Sequence, residues 1–287
     1  MPTHLNGMAK LVLSVDIEDW AQSTWDKSLE MPPHAERNAE RLLGILEEHR
    51  RTATMFVLGK FAERFPSIVK RMASGGHEIA SHGHGHVPIF SQTPVEFRKD
   101  ALRAKDYLED LTGSPVVGYR APDFSVIRST TWALEVLADI GFRYDSSIFP
   151  IKNRRYGISD WPSHPVAVRL PSGASIIELP IAVVPLLGRQ WPVGGGGYHR
   201  LLPWPLIRAA IAHTLRAGKP FVSYCHPYEF DTLELENLDL DLPFKLRLHQ
   251  GFGRAGFQAK FEHILMGFET MLASPIALGG NWPDHFL

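Results

Sequence analysis

An α/β fold, a parallel sheet or barrel whose strands are joined by helical crossovers, is what this 287-residue chain predicts. Three observations carry the prediction. Short apolar runs alternate with segments of helical period over most of the length. The ends of those runs carry clusters of Asp, His and Arg, and the carboxyl ends of strands are where parallel β/α folds hold their chemistry. About seven β/α units fit, fewer than the eight of a TIM barrel.

Taken in order, "KLVLSVDI" is a buried strand running into acidic residues, and "AERNAERLLGILEEHR" places Leu42, Leu43, Ile45 and Leu46 at helical spacing. "TATMFVLG" is a second buried strand, "FAERFPSIVKRMASGG" a helix stopped by Gly-Gly, and "HEIASHG" a third, short strand. "TPVEFRKDALRAKDYLEDLTG" is a long amphipathic helix with Asp106 and Glu109 on its polar side, and "VVGYRAP" is a fourth strand ended by Pro122. "TTWALEVLADIGF" is a helix and "RYDSS" a strand edge. "IIELPIAVVPLLG" carries apolar strands, "PWPLIRAAIAHTLRAG" a helix, "PFVSYCHPYEF" a late strand, and "KFEHILMGFETMLAS" the last helix. Two segments rich in Pro, Gly and aromatics, "FPIKNRRYGISDWPSHPVAVRLPSG" and "GRQWPVGGGGYHRLLPWP", break the alternation; loops of that length cover or build a site. The stretch "EFDTLELENLDLDLPFKLRLHQGFGRAG" reads as irregular, acidic and then basic. With no linker or repeat, one domain with loop insertions is expected over residues 1–287: a motif-bearing core at about 10–230 and an irregular C-terminal extension at about 231–287.

At 44% hydrophobic and 21% charged residues the composition is that of an ordinary globular protein. A formal net charge of -1 excludes a global pull toward nucleic acid or an anionic membrane, and Cys225 as sole cysteine excludes an intramolecular disulfide. No stretch approaches the roughly 20 apolar residues of a membrane span. "MPTHLNGMAKLVLSVDIEDW" has no basic segment followed by a long apolar one, so the cytoplasm is the expected compartment. Nothing in the sequence sets an oligomeric state.

The chemistry-bearing residues sit at the strand ends. "EIASHGHGH" puts three imidazoles at alternate positions, His82, His84 and His86, where Gly83 and Gly85 argue for a turn. Imidazole nitrogens suit zinc and similar divalent ions, but such a loop alone reads equally as polar surface; a third ligand would make it a site. "VDIEDW" offers Asp16, Glu18 and Asp19, three carboxylates that repel one another unless a cation lies nearby. By themselves they also fit a solvated turn or a helix N-cap. One of them joined to two histidines would bind a metal, and another would remain as a base. His84 is expected to face solvent or substrate, and His77 to be structural or superficial.

The chain resembles the polysaccharide deacetylase family, also called the NodB homology family or carbohydrate esterase family 4. Five motifs carry the resemblance, in the family's order, between about residue 10 and about residue 230: "SVDIEDW", "HGHGH" with His82 and His86, "RAP" with Arg120 and Pro122, "YDSS" with Asp145, and "SYCHP" with His226. Within the family, "VDIEDW", "GYRAPDFS", "DSSIFP", "GGGGYHRLLP" and "HPYEFD" look like the branch associated with bacterial exopolysaccharide gene clusters.

The resemblance implies a distorted (β/α)7-type, NodB-like barrel and an amide hydrolase with one divalent ion, zinc by default from ligand chemistry, with cobalt and nickel also acceptable. His82 and His86 would be ligands. The commonest family pattern has two adjacent aspartates and some members have Asp-x-Asp; here the run is Asp-x-Glu-Asp, so either Glu18 or Asp19 completes the triad. Asp16 matches the base, Arg120 its partner, His226 the acid, and Asp145 the group that orients His226 and raises its pKa. A backbone N–H in the "APDF" turn would help the ion hold the oxyanion. Trp20, Pro122, Trp191, Tyr198 and Glu229 are the candidate saccharide contacts, with Trp161 near the long loops and Trp204, which begins a helix, more suited to the core. The expected substrate is an N-acetylated amino sugar in a polysaccharide, oligosaccharide or lipid-linked glycan. Two other functions fit: an allantoinase-like or cyclic-imide amidohydrolase that tolerates an absent metal, and a saccharide-binding protein without catalysis.

Overall fold

The computed structural model describes residues 9–153, 155–236, 238 and 240–287. Residues 1–8, the start of the N-terminal stretch expected to carry no leader, lie outside them. The strands are β1 (Leu11–Ile17), β2 (Thr54–Val57), β3 (Glu78–Ser81), β4 (Gly118–Tyr119), β5 (Tyr144–Asp145), β6 (Val166–Arg169), β7 (Ser175–Glu178), β8 (Val183–Leu186), β9 (Arg189–Pro192), β10 (Phe221–Cys225), β11 (Thr270–Met271) and β12 (Asp284–Phe286). The helices are α1 (Pro33–Glu48), α2 (Gly59–Arg64), α3 (Pro66–Ser74), α4 (Pro94–Thr112), α5 (Trp132–Asp139), α6 (Gly196–Leu201), α7 (Trp204–Arg216), α8 (Phe244–Gly251), α9 (Phe257–Gly267) and α10 (Ala273–Gly279).

Every strand expected from the pattern is present, and the order β10-β1-β2-β3-β4-β5-β7 runs parallel throughout. β6 then pairs antiparallel with β7, and β12 adds to β6. No ladder joins the two ends of this path among the described residues, but the chain leaving β7 reaches back to β10. Ala182 N donates to the Val222 carbonyl and Tyr224 N to that of Gly194. Seven parallel strands are therefore present, and single hydrogen bonds link the chain after β7 to β10 in place of a ladder.

The period-2 alternation of a strand decides which side chains face in. On β1, Leu13, Val15 and Ile17 pack outward against α1, α3 and α9, together with Met55, Val57 and Ile79. Val12, Phe56, Ala80, Tyr144 and Val222 form a separate inner cluster. Ala273, Ile276 and Ala277 of α10 join that inner cluster, and the first turn of α10 is bonded to the amino ends of β2 and β3: Ala273 N to Thr54 Oγ1 (2.8 Å) and Ser274 N to Glu78 Oε2 (3.0 Å). The lower end of the barrel is thus plugged, and the upper end, where the strands finish, is open.

Two expectations need correction. The single helix across "FAERFPSIVKRMASGG" is two, α2 and α3, because Pro66 disfavours helical backbone at Phe65 (φ -130, ψ 60) and then starts the second helix at its first position. The C-terminal extension is not irregular: it holds α8, α9, α10, β11 and β12, and the expected last helix ends at Gly267, with β11 and α10 following.

Candidate active site

The inward face of β1 continues past its end: Ser14, Asp16 and then Glu18 point into the open mouth of the barrel, while Asp19 turns away. A cavity of about 220 Å³ lies there, lined by Asp16, Glu18, His82, His86, Arg200 and His226 among others. Arg120, at the end of β4 and fully buried, anchors the first carboxylate. Its Nη1 donates to Asp16 Oδ1 (2.7 Å) and Ser14 Oγ (2.9 Å), its Nε to the Ser146 carbonyl (3.0 Å) and its Nη2 to Ser146 Oγ (3.0 Å). The guanidinium lies 4.0 Å from the centre of the Phe56 ring, so its charge is held between an aromatic face and a carboxylate. Asp16 Oδ2 is left facing the cavity.

The "SHGHGH" turn leaves β3 with Gly83 at φ +74, a conformation open to glycine; a Cβ there would stand 2.9 Å from Asp100 Oδ2. Asp100 of α4 accepts the N–H groups of His84 (2.8 Å) and Gly85 (3.2 Å) and so pins the turn. The result sends His82 and His86 to one side. His82 Nδ1 donates to the Arg120 carbonyl (2.9 Å), and its Nε2 lies 3.2 Å from Glu18 Oε2; His86 Nε2 lies 2.7 Å from the same oxygen. One carboxylate oxygen and two imidazole nitrogens thus meet at one point, all buried. Burial raises the Glu18 pKa, and the imidazoles of His86, His82 and His226 more than offset this, holding the carboxyl well below its usual range. One carboxylate and two imidazoles, one of them oriented through its Nδ1, are the donor types of a tetrahedral divalent-ion site with a position to spare. The residues fit such an ion.

On the opposite wall His226 ends β10. Its Nε2 stands 4.0 Å from Asp16 Oδ2 and 3.6 Å from Glu18 Oε1, and its ring stacks on Tyr228 (4.7 Å, 10°). Burial lowers the His226 pKa, but Glu229, Glu18 and Asp16 outweigh it and raise the value overall.

The structure brings Asp16, Glu18, His82, His86, Arg120 and His226 together and separates several other expected residues. Asp19 Oδ1 accepts the Gln22 N–H (2.9 Å) and Oδ2 meets His34 Nε2 (3.1 Å), so Glu18 stands with the histidines. Asp145 does not orient His226. Its carboxylate accepts from Ser147 Oγ (2.5 Å) and pairs with Glu178, and burial pushes Asp145 up to about 6 and Glu178 well above its usual value. His226 Nδ1 faces Glu229 Oε2 instead (3.3 Å). Trp20 is buried with Tyr228, Leu235 and Leu242, as core. Pro122 is buried and leaves the cavity wall to Ala121, Asp123 and Phe124. Trp191, on the β8–β9 hairpin, lines a different hollow with Pro150 and Lys152. Tyr198 packs edge-on against Phe149, its hydroxyl 3.5 Å from that of Tyr156. His84 is buried against Glu63 (3.1 Å) and faces neither solvent nor cavity; His77 accepts the Ala53 N–H, a structural role as expected. Trp161 is core, and Trp204 stacks on His263.

Sequence reasoning missed three parts of the site. Tyr224 shares the inward face of β10 with His226, a period-2 relation readable from the sequence. Arg200 and Tyr156 reach the cavity from the long loops, and only the fold shows that. The partners of Asp19 were also missed: His34 lies between Asp19 and Glu234 (3.4 Å), which raise its pKa to about 10.

Residues 18–144 match the family profile described as polysaccharide deacetylase, and residues 146–275 match one described as a domain of unknown function, DUF3473. A peptidoglycan-N-acetylglucosamine deacetylase of Bacillus cereus is 33% identical over 96 residues, 33% of this chain and 35% of that protein. Each chain is therefore matched over only about a third of its length. Among solved structures, a Mycobacterium smegmatis protein assigned to the polysaccharide deacetylases aligns over 97% of this chain and 91% of its own, at 23% identity and a TM-score of 0.60. An allantoinase aligns over 97% and 93%, at 16% identity and a TM-score of 0.63. Both likenesses concern the fold, and among the described residues no helix is long and apolar enough to cross a membrane. Glu18, His82, His86 and Arg120 lie inside residues 18–144, the segment that matches the polysaccharide deacetylase profile, and are gathered at one strand-end cavity.

Proposed function

We propose that this protein is a divalent-metal-dependent hydrolase that removes N-acetyl groups from amino sugars of a saccharide. One observation carries the reading: Glu18 Oε2, His82 Nε2 and His86 Nε2 converge between the Arg120-held Asp16 and His226. An ion held there supplies Lewis acidity, which activates water and polarises an acyl oxygen near neutral pH.

The chain's own residues do the rest. Asp16 Oδ2 takes a proton from the attacking water, and Arg120, bonded to Oδ1, keeps the carboxylate aimed. His226 Nε2 protonates the amine as it leaves; without that proton the C–N bond does not break readily. In the "APDF" turn the Ala121, Phe124 and Ser125 N–H groups are bonded to Ser147 Oγ, the Ala121 carbonyl and the Pro122 carbonyl, so the N–H remaining for an oxyanion is that of Asp123. Tyr156, Tyr224, Tyr228 and Phe124 give the cavity aromatic faces suited to a sugar ring.

Acetate release from a panel of N-acetylhexosamine oligomers, with zinc-, cobalt- or nickel-loaded and chelated protein, tests this. Turnover is expected only with metal. His82→Ala should lose both the bound ion and turnover, by at least about 10²-fold. Undiminished activity in that variant, or hydrolysis of cyclic amides by chelated protein, would favour the allantoinase-like function. Saccharide binding without turnover in metal-loaded protein would favour a binding role.

A further inference from the structure

Glu229 lies between two groups that explain why it is there. Its Oε2 accepts the His226 backbone N–H (3.0 Å) and faces His226 Nδ1 (3.3 Å); its Oε1 accepts Arg200 Nε (2.9 Å). Glu229 is 1% exposed. Arg200 is itself fixed, because its Nη1 donates to the backbone carbonyls of Gln250 (2.6 Å) and Phe252 (3.2 Å). The "GGGG" turn makes room for the carboxylate: a Cβ on Gly196 would stand 1.8 Å from Glu229 Oε2. His226, Glu229, Arg200, Gly196 and the two carbonyls all lie within residues 194–252, inside the segment matched as a domain of unknown function.

We infer that Glu229, anchored by Arg200, is the positioning residue for His226, and that this relay is what residues 146–275 contribute to the reaction. The inference rests on the deacetylase reading, in which His226 delivers its Nε2 proton to the amine nitrogen while the acyl C–N bond breaks. Glu229 remains a carboxylate throughout. By accepting the Nδ1 proton it turns the ring so that Nε2–H points into the cavity, a task assigned to Asp145 by its motif but left open by that residue's pairing with Ser147 and Glu178.

The test uses zinc-loaded full-length protein and two substrates. An N-acetylhexosamine oligomer needs its leaving amine protonated; 4-nitrophenyl acetate releases a stable phenolate and does not. Glu229→Gln keeps the volume and an acceptor for the His226 N–H. It should lower kcat on the amide by about 10²-fold with KM unchanged, spare the ester, and add nothing in a His226→Gln background. Equal loss on both substrates, or wild-type kcat in Glu229→Gln, overturns the inference. Loss in His226→Gln without loss in Glu229→Gln does so while leaving the deacetylase reading intact. A second measurement is independent of turnover. Nitrogen-15 spectra of the His226 ring should show Nδ1 as a protonated donor in the wild type and a changed Nδ1 signal in both Glu229→Gln and Gly196→Ala, whose added methyl displaces the carboxylate. An Nδ1 signal identical in all three proteins overturns the inference whether or not a substrate is found.

Discussion

Asp16 and Glu18 illustrate how position on a strand sorts chemically similar residues. Both extend the inward side of β1, and the next carboxylate, Asp19, falls on the other side and pairs with His34. That Glu18 and not Asp19 shares the inward side with Asp16 was therefore legible in the sequence through period 2, without any contact being known. Glu229, three residues past His226, was readable as its local neighbour, but its anchoring by Arg200 and the room left by Gly196 were not, because a separate crossover brings them there. A further buried pair makes a pH prediction. Burial raises both Asp145 (to about 6) and Glu178 (well above its usual value), so the folded state holds a proton that the unfolded chain releases. Stability tied to this proton is complete below the ordinary carboxyl value and is lost as pH rises through about 6 and beyond. Glu178→Gln mimics the protonated partner and keeps an acceptor for the Ile148 N–H. Urea unfolding should find it as stable as the wild type at acid pH and more stable at mildly alkaline pH; a gap that does not grow with pH counts against the shared proton.

At the level of elements, α4 shows the start signal that the sequence states most plainly. Thr93 caps it, its Oγ1 accepting the Glu96 N–H (3.3 Å), while Glu96 Oε2 accepts the Thr93 N–H (2.8 Å). Thr93→Ala should cost about 1 kcal/mol in chemical denaturation. Turnover should be unchanged, since the cap lies at the exposed helix start; loss of activity would mean that the cap also sets the Asp100 contact to the His turn. Long periodic segments such as α1, α4 and α7 were legible because their apolar faces are several turns long. β6 and β12, of four and three residues, were not legible: β6 is a short run inside a Pro- and Gly-rich segment, and β12 is an edge strand made by its neighbour. α8 and α10 also lacked a readable face. No residue of α8 is buried, and α10 is defined by what it plugs.

For the whole molecule, the question is whether the two matched segments are two domains or two parts of one. The boundary at residues 144–146 adjoins β5, inside a continuous sheet, and β1 is paired on one side with β2 from the first segment and on the other with β10 from the second. The plug α10 crosses back under β2 and β3. His34 of α1 is clamped between Asp19 and Glu234, again one residue from each part, with its pKa raised to about 10. A raised imidazole stabilises fully below its ordinary value of 6.5 and loses that contribution as pH rises toward and through 10. The stability gap between wild type and His34→Gln should therefore be full below about pH 6.5 and shrink as pH rises from there to about 10; a gap constant across that range would show that the charge is not what clamps the parts. We propose on these grounds that the chain folds as one unit. A fragment ending at residue 145 would expose the β10 edge of β1 and the inner cluster that α10 seals, and would leave Asp145 without Glu178. It should show no cooperative unfolding transition and no dispersed NMR spectrum, whereas co-expression with residues 146–287 should restore both. Cooperative unfolding of the isolated fragment would establish two independent domains and move the catalytic wall carrying His226 onto a separable partner.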